Sequence, residues 1–400
     1  MPTFSFPLFD CSPDEAVEAL IQRFTLTPPT RKLDITDATG HILASPCLAA
    51  RDVPAFDNSA MDGVVIRKSD WDNGLRVFPV VGEIPPELTT PPPLQSGTAM
   101  RIMTGAPVPE HGELIIPVEL LDDTGSEVTV KELPGKNPIR KKGEGYNTGE
   151  QVLEQGTLIR PYEAGLMIES GNSECTVFEP LVVGVQVTGS EVGEAMNTNG
   201  PVITQLLNNL PGVTPKEYPV LEDDPEVIHS RMNQLRDECD VILTTGGISA
   251  GKFDYLPDIL EQNGAELLIR KVNQKPGKPF TSYDWKGTPV CCLPGNPISA
   301  VFTFEWYVQQ LLASLNNLGK TTISAEVAER ESALINRGGK HLFVPGQLSY
   351  REGRILVSAE PVMKSHLMQL YKDADCYVHL KPGTQYQTGD LIEVMPFAGS

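Results

Sequence analysis

The stretch Thr244-Thr245-Gly246-Gly247-Ile248-Ser249-Ala250-Gly251-Lys252-Phe253-Asp254-Tyr255 decides how this chain is read. Immediately before it, Asp240-Val241-Ile242-Leu243 is a short apolar run rich in β-branched residues, the pattern of a buried strand. Three glycines and two small residues let the backbone turn sharply and bring its N–H groups close to an anion. Asp254 then caps a helix, and Lys252 sets a cation at the same rim. Strand, glycine turn and helix start together form a phosphate-binding corner of an open α/β sheet. A tight turn without a ligand has the same local sequence, so the reading rests on what the chain places around it.

Outward from this corner, strands and helices alternate. Leu181 to Val187 reads as a strand and Thr188-Gly189-Ser190-Glu191 as a turn. Gly200 to Leu210 follows as a helix burying Val202, Ile203, Leu206, Leu207 and Leu210. Lys216 to Val220 is the next strand, and Asp224-Pro225 opens a helix with Val227, Ile228, Met232 and Leu235 facing inward. Beyond the corner, Leu267 to Val272 and Val290 to Leu293 are strands, and Pro297 to Leu315 is the last long helix. This alternation predicts a doubly wound, mostly parallel α/β domain over 181–318. Ligands of such sheets sit beyond the carboxyl ends of the strands. Thr188 to Glu191, Thr245 to Asp254 and Leu293-Pro294-Gly295-Asn296-Pro297 all fall there.

The flanks have a different rhythm. Ser12-Pro13-Asp14-Glu15 predicts a helix with Ser12 as N-cap and Glu15 closing a capping box, and Val17, Leu20, Ile21 and Phe24 share one face. That piece is too small to stand alone. Residues 1–50 and 148–180 are grouped as a discontinuous mixed α/β domain, with Ala164 to Ile168 completing the layer begun by the first helix. Residues 51–147 read as a β domain of short strands and proline-rich loops. Within it, Asp57-Asn58-Ser59 and Asp62-Gly63 fit either a Mg²⁺ or substrate site or two ordinary Asx turns. Thr104-Gly105 ends a strand at a turn. Arg140-Lys141-Lys142-Gly143 is either solvated surface or a phosphate contact. Short β runs at Glu326 to Ala328, Leu342 to Val344, Ile355 to Ser358, Cys376 to His379 and Leu391 to Val394 predict a small β-barrel over 319–400.

The chain has 400 residues and a net charge of −20, which excludes a general nucleic-acid binder. An anionic ligand would need lysines and arginines gathered locally against that field, and Arg270, Lys271, Lys275 and Lys278 follow the corner closely. Glycine and proline, 35 of each, indicate many turns and rigid connections. No apolar run approaches a membrane span, no basic leader precedes the first apolar residues, and the seven cysteines form no C-x-x-C pair. Buried free thiols in the cytoplasm are expected.

Five motifs, in order, carry a resemblance that covers nearly the whole chain. They are Pro54-Ala-Phe-Asp-Asn-Ser-Ala-Met-Asp-Gly63, Arg101-Ile-Met-Thr-Gly-Ala-Pro-Val-Pro109, Thr244 to Tyr255, Lys275-Pro-Gly-Lys-Pro-Phe280 and Leu293-Pro-Gly-Asn-Pro297. With them the chain resembles the molybdenum insertases, the MoeA proteins related to the gephyrin E domain. The resemblance implies Mg²⁺-dependent transfer of molybdate onto adenylylated molybdopterin with release of AMP. It also implies an elongated four-domain homodimer whose cleft is shared between subunits, with the molybdopterin adenylyltransferase as a candidate partner. By resemblance, Asp62, Thr104, Glu191 and Asp254 are the catalytic group, Glu191 and Asp254 also serving the metal. Ser59, Arg140, Asp224, Gly246, Gly247, Ser249, Gly251, Lys275, Lys278, Pro294, Gly295, Asn296 and Pro297 are the expected substrate contacts. Pterin, phosphates and molybdate form a polyanion, so cations and amide donors are the chemistry such a site requires.

Two positions depart from the pattern. The family's Gly-Glu-Asp after its basic patch is here Gly143-Glu144-Gly145, which removes a carboxylate unless Glu144 or Glu150 substitutes. The family's Thr-Gly-Asp-Glu is here Thr188-Gly189-Ser190-Glu191. Two other readings stand beside the transferase: a catalytically weakened paralog that binds molybdopterin or assists assembly, and an adenylyltransferase on the same α/β domain. The extra β domains and the Pro54–Gly63 motif argue against the latter.

Overall fold

The computed structural model describes residues 4–188, 197–222, 224–247, 255–318, 322–360 and 368–397, the side chains of 368 and 370 excepted. The chain divides into two compact units. One comprises Met1–Arg31, Gly40–Ile42 and Val177–Ser400, the other Lys32–Thr39 and Leu43–Thr176.

In the first unit the strand before the glycine corner, Val241–Thr245, is buried at all five positions. It is flanked in parallel by Leu181–Thr188 and Thr288–Leu293. Covered on both faces, such a strand has no solvent side, which is why its sequence is uniformly apolar or small rather than alternating. The full sheet has seven strands, in the order Leu8–Cys11, Glu266–Val272, Thr281–Trp285, Thr288–Leu293, Val241–Thr245, Leu181–Thr188, Val213–Leu221. Thr281–Trp285 runs antiparallel to both neighbours and the remaining pairs are parallel. Asn199–Asn208 and the helix over 297–315 join the core on one face through Ile203, Leu207, Phe302 and Leu311. Pro225–Glu238 and Leu256–Gln262 join the other core through Ile228, Met232, Leu235 and Leu260. The sheet is doubly wound and mostly parallel.

Three expectations are corrected here. The first helix, Pro13–Arg23, has the Ser12–Glu15 capping box, yet it does not share a layer with 164–168. Ala16, Leu20 and Phe24 pack with Leu268, Ile269 and Leu311 instead. The reason is the segment before it: Leu8–Cys11 pairs with Glu266–Val272 as an edge strand, and Ser12 turns that strand directly into the helix. Second, Thr281–Trp285 was not expected as a strand; it forms a hairpin through Lys286-Gly287, where Trp285 faces Thr288. Both turn residues have positive φ (56° and 97°), the geometry of a tight two-residue hairpin turn. Third, Val227 is 47% exposed because it lies in the first turn of its helix, off the Ile228–Met232–Leu235 stripe.

Toward the C-terminus, His341–Arg351, Arg354–Ala359, Ile323–Val327, Leu391–Pro396 and Cys376–Leu380 pair in sequence around a ring. Cys376–Leu380 closes it by pairing again with His341–Arg351, so no barrel strand is left as an edge. Val344, Val357, Val378 and Val394 fill the interior.

In the second unit a six-stranded sheet runs Leu114–Pro117, Gly63–Ile66, Ala99–Ile102, Val77–Ile84, Glu127–Val130, Leu121–Asp123. Ala164 and Met167 of the helix Pro161–Glu169 are buried, while Ile168 is exposed. All seven cysteines are free and buried, and burial pushes the Cys291 and Cys292 thiols up to about 12. No helix among the described residues is long and apolar enough to cross a membrane.

Candidate functional site

The parallel strands bring their carboxyl ends to one edge of the seven-stranded sheet, and the glycine corner is built there. Gly246 and Gly247 have φ of 87° and 64°. A Cβ at 246 would lie 2.5 Å from the Thr188 carbonyl oxygen, and one at 247 would lie 2.9 Å from Thr188 Oγ1. Neither position tolerates a side chain, so both glycines answer a close approach of two strand ends. The corner is tied across the edge. Thr188 Oγ1 donates to Thr245 O at 3.2 Å, and the Gly246 N–H donates to Leu293 O at 3.3 Å. The Gly246 amide is therefore engaged with its neighbour strand. Ser249, Gly251, Lys252 and Asp254, with Glu191, lie outside the described residues. The following helix, Leu256–Gln262, has Tyr255 in the capping position.

The remaining expected contacts of this unit divide by how much freedom their side chains retain. Pro294 is buried, Gly295 and Asn296 are exposed, and Pro297 starts the helix over 297–315. Asn296 occupies the N-cap position without making a side-chain cap bond. Asp224 spends Oδ1 capping its own helix, accepting from the Glu226 and Val227 amides at 2.9 and 3.1 Å. Lys278 pairs with Asp10 at 3.0 Å, the acid at the end of the first strand that the sequence reading had left out. Lys275 is exposed on the short strand Gln274–Lys275, which pairs with the barrel strand His341–Arg351. Its loop is braced by residues the sequence reading passed over. Buried Gln274 donates through Nε2 to Gly277 O at 3.1 Å and accepts from the Tyr307 hydroxyl. Tyr307 lies in a π-helical turn, Phe304–Val308, an interruption found frequently at functional sites. A Cβ at Gly277 would meet Thr303 Cγ2 at 2.5 Å, so the loop seats directly on that helix.

In the second unit, two motifs 42 residues apart meet in one hydrogen-bonded pair. Asp62 Oδ1 accepts from the Thr104 amide at 2.7 Å and from Thr104 Oγ1 at 2.8 Å. The Thr104 amide first, then its hydroxyl, holds the Asp62 carboxyl below the usual carboxylate range. Asp62 is thus ionised at neutral pH. Gly63 follows because a Cβ there would lie 2.1 Å from the Ile116 carbonyl oxygen. Ser59 is fully buried and its hydroxyl donates to Met61 O at 2.5 Å, so it shapes the turn instead of presenting a hydroxyl to a ligand.

The basic patch is also partly committed. Lys141 pairs with Asp57 at 2.6 Å and Lys142 with Asp52 at 3.1 Å, while Arg140 is exposed. The Thr148 amide and hydroxyl, with Lys142, bring Asp52 down to about 2. Each proposed substitute for the missing carboxylate has one oxygen engaged: Glu144 Oε2 accepts from the Lys141 amide and Glu150 Oε2 from the Asn147 amide, each at 2.8 Å. Gly145 donates to Val53 O at 2.9 Å, and a Cβ there would stand 3.1 Å from that oxygen. Among the described residues, Asp14, His379 and Glu393 near the barrel are the one group of three side chains spaced to hold a metal; none gathers at either corner.

A doubly wound sheet with glycines at its carboxyl edge, in one chain with a closed barrel, defines a multidomain α/β protein with a C-terminal β-barrel. The probable molybdopterin binding domain matches residues 181–314, the MoeA N-terminal region (domain I and II) residues 11–171, and the MoeA C-terminal region (domain IV) residues 328–397. A molybdopterin molybdenumtransferase of Haemophilus influenzae is 29% identical over 399 residues, covering 96% of this chain and 98% of the relative. Molybdopterin molybdenumtransferase 2 of Mycobacterium tuberculosis is 30% identical over 386 residues, covering 89% and 94%. The crystal structure of a molybdopterin biosynthesis MoeA protein from Pyrococcus horikoshii OT3 has the same fold, with a TM-score of 0.80 at 23% identity, covering 97% of this chain and 100% of that one. The chain belongs to the MoeA family of molybdopterin molybdenumtransferases and is a transferase of molybdenum cofactor biosynthesis.

Proposed function

We propose that this protein inserts molybdate into adenylylated molybdopterin in a Mg²⁺-dependent reaction that releases AMP, acting as a cytoplasmic homodimer. The observation that carries this reading is the exposed, ionised Asp62 clamped by Thr104. Both hydrogen bonds fall on Oδ1, which leaves Oδ2 to a ligand. Thr104 Oγ1, while donating its hydrogen bond to Asp62, keeps lone pairs that can accept a hydrogen bond from a reacting hydroxyl. Such a pair stabilises little fold at an exposed site, so its geometry fits a functional role.

Lys275, exposed beside a braced loop, is placed to hold a phosphate as a point charge. Glu191 and Asp254 are the residues we assign to Mg²⁺, which when bound supplies charge neutralisation between carboxylates and phosphates. The chain's own contribution is then orientation: of the phosphoanhydride by Lys275, and of a reacting oxygen by hydrogen bonding at Thr104 Oγ1 beside Asp62. The adenylylated substrate must come from an adenylyl-transferring enzyme, which makes the molybdopterin adenylyltransferase the natural partner. The comparisons do not favour the weakened-paralog reading.

The test is reconstitution. Purified protein with adenylylated molybdopterin, molybdate and Mg²⁺ should activate a cofactor-free molybdoenzyme. Activation that is equal without this protein would refute the assignment.

A further inference from the structure

Asn199 opens the helix Asn199–Asn208 at the ligand edge of the sheet and is only 9% exposed. Its Nδ2 donates to Gly295 O at 2.9 Å and to Thr245 Oγ1 at 3.4 Å. Those bonds settle which way the amide faces. Turned over, it would set Oδ1 against the Gly295 carbonyl, acceptor against acceptor. Oδ1 is therefore held in one direction, buried, and without a hydrogen-bond partner among the described residues. Buried side-chain acceptors are nearly always satisfied, so an orphan pinned at a ligand edge calls for a physical reason.

The chemistry of the surroundings selects the partner. An amide oxygen only accepts, and phosphate and molybdate oxygens at neutral pH are acceptors too, so neither anion can satisfy it. Two donors at this corner are spent: the Gly246 N–H on Leu293 O and the Thr188 hydroxyl on Thr245 O. This part of the edge offers acceptors to a ligand. It suits an N–H or amino group on a fused nitrogen heterocycle and disfavours the anionic part of the same molecule. Lys275, by contrast, offers an exposed cation on the short strand Gln274–Lys275, which follows Glu266–Val272 and pairs with the barrel strand His341–Arg351.

We propose that Asn199 is a substrate-contacting residue whose Oδ1 accepts a hydrogen bond from a heterocyclic N–H or amino group, docking that end of the substrate beside Gly295 and directing its phosphates toward Lys275. This rests on the function proposed above. The pterin and the adenine of an adenylylated molybdopterin both carry such donors, and the test separates them.

Metal-free molybdopterin and AMP are titrated separately into the wild-type protein and into Asn199→Ala and Asn199→Leu, with the KM for molybdate measured in parallel. Removing one buried hydrogen bond should weaken binding about tenfold. A loss for molybdopterin assigns Oδ1 to the pterin, and a loss for AMP assigns it to the adenine. In either case the molybdate KM stays put, which a merely structural role would not guarantee. A second readout uses wild-type protein alone: the Asn199 side-chain amide resonances, identified by their absence in Asn199→Ala, should shift on adding the heterocycle and remain still with molybdate. Wild-type binding matched by both variants, resonances that ignore the heterocycles, or an effect confined to molybdate would overturn the proposal. Wild-type protein that binds neither molecule would remove the underlying function, and this inference with it.

Discussion

Replacing Gly246 with alanine should damage the α/β unit far more than the same change at Gly287, although both glycines have similar φ, 87° and 97°. The shared cost is the left-handed backbone, about 1–2 kcal/mol for a residue with a Cβ. At Gly287 nothing lies within 4 Å of the added carbon, so the cost ends there. At Gly246 the carbon would stand 2.5 Å from the Thr188 carbonyl oxygen, where something must shift. Relieving the overlap separates two strand ends and stretches the 3.2 Å Thr188–Thr245 and 3.3 Å Gly246–Leu293 hydrogen bonds. At about 0.5–1.5 kcal/mol for each bond, the extra loss comes to about 1–3 kcal/mol. Urea unfolding followed by the fluorescence of Trp285 and Trp306 in a Trp71→Phe background reads this unit, because both tryptophans lie in its cores. Gly246→Ala should also weaken molybdopterin binding, since Gly295 packs against the same corner, a Cβ built on it lying 3.6 Å from the Gly246 Cα, whereas Gly287→Ala should not. Equal destabilisation by the two substitutions would refute the close-approach reasoning.

Thr104→Val keeps the amide bond to Asp62 but removes the hydroxyl; kcat should fall about 10- to 100-fold, the worth of a hydrogen bond to a charged group, with little change in melting temperature. Carboxyl-carbon NMR should show the Asp62 pKa rising toward the ordinary range in that variant, and an unmoved titration would contradict the pairing. Gly145→Asp should raise turnover by restoring the carboxylate of the family pattern; its Cβ, 3.1 Å from the Val53 carbonyl oxygen, should lower the temperature of thermal unfolding. Acid should weaken the 43–176 segment in a defined window. Asp52, Asp123 and Glu163 are all depressed to about 2, so their stabilisation is complete above the unfolded value of about 4 and disappears as pH falls toward about 2. Far-ultraviolet dichroism melts that decline between pH ~7 and ~5 instead would contradict the assignment.

The legible parts of the fold were those with an unambiguous period. The parallel strands around Val241–Thr245 and the barrel strands stood out because buried runs and regular turns repeat. Thr281–Trp285 did not, because Asp284 interrupts its apolar pattern. That aspartate is a buried partner of Arg23, 2.6 Å away, and no local rule anticipates a salt bridge spanning 261 residues. The same blindness to long-range pairing hid Lys278–Asp10 and placed the first helix on the wrong layer. At the site, the glycines were readable from the need for positive φ, and Asp224 from its place before Pro225. Asp62 and Thr104 were grouped only through the resemblance, and their contact came with the structure, since one sequence contains nothing that links positions so far apart. Asn199 passed unnoticed because an asparagine at a helix start ordinarily reads as a cap.

The most direct test of the account is AMP formation from adenylylated molybdopterin, measured with and without molybdate in wild-type protein and in Asp62→Ala. The account predicts release by wild type only when molybdate and Mg²⁺ are present, and a loss of at least about 100-fold in the variant. Release that ignores molybdate, or that survives the loss of Asp62 unchanged, would contradict it.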